Sequence, residues 1–218
     1  MKRTPWTSEE IETVRKRRSQ LRERRQKSAV PTVALVGYTH AGKTTMFNML
    51  TGDTAVASDA LFVTLDPLVR KVKLPDRREL LVSDTVGFIE RLPTSLVAAF
   101  RATLEEVAAA DLLVLTSASE GMSNAILEAM AAGCAPVVSS LACFQDFITP
   151  GENGLVFNHR APSPPEALSQ TLSRILPDAA STARIRQSAW TTARGYTLPR
   201  IAGLFLDDFQ KLCAAHSR

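Results

Sequence analysis

The sequence has no long apolar run, and its cysteines are few. No stretch approaches the roughly 20 apolar residues that a membrane-spanning helix requires, and the first residues lack the apolar core of a signal peptide. Cys134, Cys143 and Cys213 are odd in number and have neither paired nor metal-ligand spacing, so we expect reduced thiols in a cytoplasmic protein. The 45% hydrophobic content supports a packed core, and 218 residues suffice for one large domain or two small ones.

Lysine is missing from most of the chain, since none occurs between Lys73 and Lys211. Basic residues are instead concentrated at one end: residues 1–28 contain ten Lys or Arg and four Glu, whereas the remainder is nearly neutral. A helix within residues 1–30, ending before Pro31, would be surrounded by this positive charge. Such a helix suits contact with an RNA backbone or serves as a solvated linker, and the charge alone favours neither.

The most specific pattern is a strand, a glycine-containing turn and a helix in succession. Thr32–Val36 predicts a buried strand, and Lys43–Leu50 begins a helix with apolar spacing. Glycine lets backbone N–H groups approach phosphate oxygens, and the helix N-terminus adds partial positive charge. We expect Lys43 to reach the outer phosphates and the Thr44 hydroxyl to bind Mg²⁺. The residues of this predicted phosphate-binding loop are Gly37, Tyr38, Thr39, His40, Ala41, Gly42, Lys43, Thr44 and Thr45.

A second motif, Asp84-Thr85-Val86-Gly87, follows two predicted strands. Leu68–Leu74 and Glu79–Ser83 flank a turn, and Asp84 comes at the end of the second strand. There its carboxylate can hold a metal-bound water, and the Gly87 N–H can meet a terminal phosphate. The spacing from the phosphate loop favours this interpretation over a simple turn after a strand.

The two motifs belong to a longer set of stretches: Val33–Thr39, Gly42–Asn48, Leu61–Pro67, Asp84–Ile89, Leu92–Pro93 and Ala98–Val107. On these stretches, residues 8–111 resemble the HflX-type GTPases, a ribosome-associated branch of the translation-factor-like GTPases. The resemblance implies Mg²⁺ and GTP as ligands, with Thr64 sensing the γ-phosphate through the metal that Thr44 and Asp84 also hold. Phe88 stands where many GTPases have glutamine, so hydrolysis would need another way of positioning water. The basic helix matches the segment before the GTPase domain, which favours ribosomal RNA as a partner.

The guanine-reading motif of that family, Asn-Lys-x-Asp, is absent, because no lysine lies between Lys73 and Lys211. We therefore predict that the chain binds Mg²⁺ and a purine nucleotide of the GTP type with weakened base selectivity. Other nucleoside triphosphates stay candidates, and hydrolysis is expected to be weak or absent.

From about Asp111 the sequence matches a different family. The stretches Ser119–Gly133, Pro136–Ser140 and Gly151–Val156 resemble the C-terminal domain of retaining GT-B glycosyltransferases. The resemblance implies that Glu128 faces a donor ribose and Glu120 the transferred sugar. Sugar transfer is nevertheless not expected, because the acceptor domain of that family and the basic residues that neutralise its donor diphosphate have no counterpart in this sequence. The chain thus resembles a chimera of two families.

Both parent folds are open, mostly parallel sheets, so the two parts can form one sheet. We predict a doubly wound α/β fold with a P-loop front, a Rossmann-like back and a preceding basic helix. The strand order is predicted as 2-3-1-4-5-6. Residues 1–30 would form the helix, and 31–218 one composite domain with parts at 31–111 and 112–218. The later elements are expected at Leu112–Leu115, Pro136–Ser139 and Leu155–Phe157 for strands, and at Glu166–Ile175, Ser181–Ala193 and Phe205–Leu212 for helices.

Three functions stay open at this point. The first is Mg²⁺-nucleotide binding through Gly37–Thr45 and Asp84, the second is nucleotide-sugar binding by a glycosyltransferase remnant through Glu120 and Glu128, and the third is a non-catalytic fold chimera. A binding panel of GTP, ATP, GDP, UDP and UDP-sugars separates them. Guanine preference indicates the first function, uridine preference the second, and absence of binding the third.

Overall fold

The computed structural model describes residues 30–38, 41–52, 68–87, 104–121, 123–176 and 178–216, together with Thr13, Lys16 and Gln20. These last three residues are helical and exposed, Val30 is not helical, and the other residues of the expected basic helix over residues 1–30 lie outside the described residues. Within the described ranges, no helix is long and apolar enough to cross a membrane.

Six strands form one sheet in this part of the chain, and α-helices cover it. The strands are β1 (Thr32–Val36), β2 (Leu68–Lys73), β3 (Glu79–Asp84), β4 (Leu112–Leu115), β5 (Ala135–Ser139) and β6 (Leu155–Phe157). The helices are α1 (Lys43–Thr51), α2 (Asn124–Ala131), α3 (Pro164–Ile175), α4 (Ala179–Ala193) and α5 (Leu198–His216), with 3₁₀ turns at Ala142–Phe144 and Arg194–Tyr196. Residues 104–109 are helical as well.

The strand order is β2-β3-β1-β4-β5-β6, which confirms the order predicted from the sequence. Strand β2 is antiparallel to β3, and the other pairings are parallel. The fold is therefore a mostly parallel α/β sheet, as predicted. Since parallel strands end at the same edge, the loops after β1, β3, β4, β5 and β6 share one side of the molecule.

Each face of the sheet has its own core. Val33 and Leu35 of β1 belong to a core with α1 and α3, whereas Ala34 and Val36 belong to a core with α2 and the second half of α4. Strands β4 and β5 are buried along their whole length, which explains their continuous small and aliphatic sequences: a strand covered on both faces has no solvent side. Both cores contain residues from before and after Asp111, so the two parts of the chain share them.

The helix boundaries differ from the predicted ones for local reasons. Helix α3 begins at Pro164 rather than Glu166, because proline is tolerated in a first turn whose N–H groups have no partner within the helix. Helix α4 begins two residues early because the Asp178 side chain accepts a hydrogen bond from the Ala180 N–H. Helix α5 is longer than predicted at both ends. The predicted strand ends differ from the observed ones by one residue at most.

The carboxylate of Asp111 ties the start of β1 to the start of β4. Its Oδ2 accepts hydrogen bonds from the Thr32 N–H at 2.9 Å and from the Thr32 hydroxyl at 3.1 Å. Its Oδ1 lies 3.4 Å from Nη1 of Arg186 on α4, and Nε of that guanidinium donates to the Gly133 carbonyl at 2.6 Å. These contacts join β1, β4, α4 and the turn before β5 at the edge opposite the loop that follows β1.

We expect residues 31–218 to unfold as one composite domain, because both cores and the Asp111 contacts are shared between the two parts. Calorimetry should give a single transition. Asp111→Ala should destabilise the protein by roughly 2 kcal/mol through loss of charge-assisted hydrogen bonds, without splitting that transition. Asp208→Ala removes an exposed ion pair on α5 and serves as the control with little effect. Two separated transitions, or a protease-stable fragment ending near Asp111, would show that the parts fold independently.

Candidate phosphate-binding site

The turn between β1 and α1 folds tightly on its own backbone. The Ala41 N–H donates to the Tyr38 carbonyl at 3.1 Å, and Gly42, at φ 73°, leads into α1. Gly37 has φ 145°, and a Cβ there would lie 3.1 Å from the Ala41 Cβ and 3.3 Å from Cδ1 of Leu115. Both the backbone angle and the close neighbours therefore require glycine at the first position of the loop.

Lys43 is the first residue of α1, and its ammonium group is held inside the loop. Its Nζ donates to the Tyr38 carbonyl at 2.7 Å, and the residue is only 6% exposed. Burial lowers the pKa of the Lys43 ammonium to about 8, and the negative charge of Asp84 partly opposes this effect. A buried cation at the N-terminus of a helix is an arrangement that attracts an anion.

The Thr44 hydroxyl donates to Oδ2 of Asp84 at 2.9 Å and brings the loop into contact with the end of β3. Asp84 is fully buried and pairs in register with Leu35 of β1. The next residue, Thr85, anchors the strand end, because its hydroxyl donates to the Leu35 carbonyl at 2.6 Å. Parallel pairing of β1 with β3 therefore places a hydroxyl and a carboxylate side by side.

These two oxygen groups fit Mg²⁺. The ion commonly uses one or two protein oxygens together with substrate phosphates and waters, rather than a complete cage of protein ligands. Among the described residues, no group of three or more His, Cys, Asp or Glu side chains could hold a metal ion. A Mg²⁺ at Thr44 and Asp84 would thus depend on the phosphates of its ligand.

Two of the remaining predicted ligands are described. Thr45 is exposed on the first turn of α1, and Gly87 is buried shortly after the end of β3. The ones that lie outside the described residues are Thr39, His40 and Thr64.

Sequence reasoning missed Thr116, the residue that follows β4. Its hydroxyl donates to the Ala41 carbonyl at 2.8 Å and so holds the phosphate loop from the side of the neighbouring strand. The next residue, Ser117, is buried, and its carbonyl accepts a hydrogen bond from the Ser139 hydroxyl at the end of β5 at 2.7 Å. A signal was available, because polar residues directly after buried parallel strands lie at the edge where ligands bind.

Glu120 and Glu128 were predicted from the glycosyltransferase resemblance, and both belong to the region between β4 and β5. Glu120 is half-buried in the loop after β4, and Glu128 is exposed on α2. Burial raises the pKa of the Cys143 thiol, and the charge of Glu120 raises it further, so Glu120 lies near the 3₁₀ turn that follows β5. Neither glutamate lines the cavity beside the phosphate loop.

That cavity has a volume of about 640 Å³, which is in the range of small-molecule sites. Gly42, directly before α1, and Thr45, in its first turn, line the cavity on one side, and Thr116 lines it from the loop after β4. His159, Pro162 and Ser163 line it from the segment between β6 and α3, and residues 164–166 line it from the first turn of α3. The cavity therefore connects the phosphate loop with a part of the chain far away in sequence.

A family model described as a 50S ribosome-binding GTPase matches residues 32–138. The chain is 55% identical over 106 residues to the GTPase HflX of Caldanaerobacter subterraneus subsp. tengcongensis, and this alignment covers 49% of the chain and 25% of that protein. It is 53% identical over 104 residues to the GTPase HflX of Escherichia coli, covering 48% and 24%. The chain thus spans about a quarter of the length of the curated relatives it matches, and its N-terminal region matches HflX GTPases.

Two solved structures share the fold. Sucrose-phosphate synthase from Thermosynechococcus elongatus matches with a TM-score of 0.56 at 20% identity, over 90% of this chain and 49% of that one. The mGMPPNP-bound NFeoB from S. thermophilus matches with a TM-score of 0.50 at 14% identity, over 68% and 62%. Identities this low show the fold alone. The glycosyltransferase resemblance of the C-terminal part therefore has only this weak structural support.

Replacing Lys43 by methionine should stabilise the ligand-free protein at pH 7 by roughly 1–2 kcal/mol, because a side chain of similar length without charge removes the cost of burying the ammonium. A pKa lowered from 10.5 to about 8 means that folding disfavours the charged lysine. The penalty is complete below pH 8 and is lost as the pH rises towards 10.5. Urea unfolding at several pH values should therefore show the advantage of Lys43→Met shrinking over this interval.

Lys71→Met is the matched control for this comparison, because Lys71 is 55% exposed in its ion pair with Glu79. Its stability should stay close to that of the parent protein at each pH. An advantage of Lys43→Met that is absent at pH 7, or that grows with pH, would contradict the burial of a charged Lys43.

Proposed function

We propose that this protein binds Mg²⁺ and a nucleoside triphosphate through the loop between β1 and α1. Backbone N–H groups of this loop and of the start of α1 would hold the phosphates, and Lys43 would neutralise their charge. The observation that carries the proposal is the 2.9 Å hydrogen bond from Thr44 to Asp84, because it sets a hydroxyl and a carboxylate suited to Mg²⁺ beside the loop. The match of residues 32–138 to a GTPase family model supports the same function.

The residues of the site have separate roles in this proposal. Thr44, Asp84 and Thr64 would hold Mg²⁺, Asp84 through a bound water, and the ion would supply positive charge to the outer phosphates. The Gly87 N–H would meet the terminal phosphate. On binding, Lys43 would exchange its hydrogen bond to the Tyr38 carbonyl for one to a phosphate oxygen, which gives the buried ammonium a stronger counter-charge.

Base selectivity and hydrolysis are both expected to be weak. The sequence contains no Asn-Lys-x-Asp motif, which is the motif that recognises guanine in GTPases. Hydrolysis of a bound triphosphate requires a positioned water, and we assign no residue to that task. Phe88, at the corresponding position of the family resemblance, lies outside the described residues.

The basic segment over residues 1–30 is proposed to contact the phosphates of an RNA. Its concentration of Lys and Arg suits a polyanion, because such contacts release counterions from the nucleic acid. The matching family model is described as a 50S ribosome-binding GTPase, which favours ribosomal RNA in the cytoplasm as the partner.

Lys43→Ala should weaken Mg²⁺-dependent triphosphate binding by about tenfold or more, because a charge-assisted contact to phosphate is lost. GTP and ATP should bind the parent protein with affinities within a few-fold of each other. Titration calorimetry with each nucleotide, with and without Mg²⁺, measures both effects. Lys71→Ala removes an exposed lysine and should leave the affinity unchanged.

Either of two results would contradict this function. Unchanged affinity in Lys43→Ala would exclude the phosphate loop as the binding site, and GTP binding far more tightly than ATP would show that guanine selectivity persists. Absence of nucleotide binding would favour the non-catalytic fold chimera.

The alternative function is nucleotide-sugar binding by a glycosyltransferase remnant. Its support is the fold likeness to sucrose-phosphate synthase over 90% of the chain. The placement of the two glutamates disfavours it, because Glu128 is exposed on α2 while Glu120 is half-buried near Cys143, and neither lines the cavity. We therefore expect neither Glu120 nor Glu128 to act in catalysis.

Sugar-transfer assays with UDP-sugars and GDP-sugars should accordingly give only background. The matched control for Glu128→Ala is Glu152→Ala, since Glu152 is exposed in the turn before β6. Transfer activity that disappeared in Glu128→Ala and persisted in Glu152→Ala would make the C-terminal part the functional one.

A further inference from the structure

The cavity between α1 and α3 has a polar wall and an apolar wall. Gly42 and Thr45 contribute the polar wall at the start of α1, and Thr116 is held there by its 2.8 Å hydrogen bond to the Ala41 carbonyl. The apolar wall comes from Met49, from Phe157 of β6, from Pro162 in the segment before α3, and from Pro164 and Pro165 at the start of α3. Such a cavity suits a flat, largely apolar group that has polar atoms at its edge and is attached to phosphate.

The two helix starts at this cavity differ in their capacity to hold phosphate. Helix α1 begins after Gly42 with residues that carry backbone N–H groups, whereas α3 begins with Pro164 and Pro165, which have none. Glu166, in the first turn of α3, adds a negative charge that repels phosphate. Phosphate therefore belongs at the α1 wall, and the rest of the ligand belongs towards α3.

Glu166 provides the one carboxylate among the described residues that line the cavity. The Thr116 hydroxyl is already engaged with the phosphate loop, and Nδ1 of His159 lies 3.1 Å from the Ser140 hydroxyl. An ionised carboxylate only accepts hydrogen bonds, so Glu166 favours a ligand edge that carries N–H donors. Glu166 is exposed, so its side chain has the freedom to adjust to donors at different positions.

We propose that the base of the bound nucleotide occupies this cavity and that the Glu166 carboxylate accepts hydrogen bonds from N–H groups on the edge of the base. The inference rests on the nucleotide binding proposed above and adds the residue that reads the base. Guanine offers its N1–H and its 2-amino group, and adenine offers its 6-amino group, so both purines satisfy the carboxylate. The selection is for a donor edge rather than for guanine, and it comes from a residue outside the stretch matched to the GTPase family.

Purine riboside 5′-triphosphate tests this directly, because its six-membered ring carries no N–H donor and is otherwise close to that of ATP. The parent protein should bind ATP about tenfold more tightly than purine riboside triphosphate, as loss of one charge-assisted hydrogen bond predicts, and GTP at least tenfold more tightly, because guanine offers two donors. Glu166→Ala should lower the ATP and GTP affinities to that of purine riboside triphosphate and leave the last unchanged. Glu166→Gln, which keeps one acceptor oxygen, should fall between the two.

The ratio of ATP to purine riboside triphosphate affinity is the decisive readout, because a merely structural effect of Glu166 on α3 would weaken both ligands equally. Glu152→Gln, an exposed glutamate away from the cavity, should keep the parent ratio. Equal binding of the two triphosphates by the parent protein, or an unchanged ratio in Glu166→Ala, would overturn the role of Glu166 alone. If the parent protein bound none of the triphosphates, or if Lys43→Ala bound them with the affinity of the parent protein, the proposed function and this inference would both be overturned.

Discussion

The carboxylate of Asp111 fixes the register on which the rest of the structure depends. It accepts two hydrogen bonds from Thr32, and Arg186 connects it to the Gly133 carbonyl. These contacts hold the first residues of β1 and β4 and the turn before β5 next to one another. When neighbouring parallel strands of similar length are aligned at their amino ends, their carboxyl ends are aligned as well. The contacts at one edge therefore decide which loops meet at the opposite edge, where the phosphate loop lies.

At that opposite edge, the carboxyl ends of three strands bring different side-chain groups next to the loop that follows β1. The loop after β1 brings Lys43 and Thr44, the end of β3 brings Asp84, and the residue after β4 brings Thr116. The turn between β1 and α1 positions Lys43 and Thr44, whereas the pairing of β1 with β3 and β4 brings Asp84 and Thr116 beside them. The carboxyl ends of parallel strands are the usual place for ligand-binding loops in open α/β sheets.

The ammonium group of Lys43 is buried at the start of α1. Its pKa is lowered to about 8 because desolvation exceeds the attraction of Asp84, and its partner in the ligand-free protein is the Tyr38 carbonyl. A charge in this position is better stabilised by a phosphate than by a peptide oxygen. An anion bound beside Lys43 would therefore offset the desolvation of its ammonium group.

The sequence by itself predicted the strands, because buried parallel strands are continuous aliphatic runs, and its family resemblances predicted the strand order that the structure shows. The glycines at positions 37 and 42 indicated a turn, and both have positive φ angles in the structure. The sequence also indicated that Thr44 and Asp84 act together. Only the tertiary structure decided that Lys43 is buried against a carbonyl, that Thr116 holds the loop, and that Glu166 lines the same cavity as Thr45. These facts depend on pairing and packing between distant segments, and the motifs that connected Thr44 with Asp84 do not include Thr116 or Glu166.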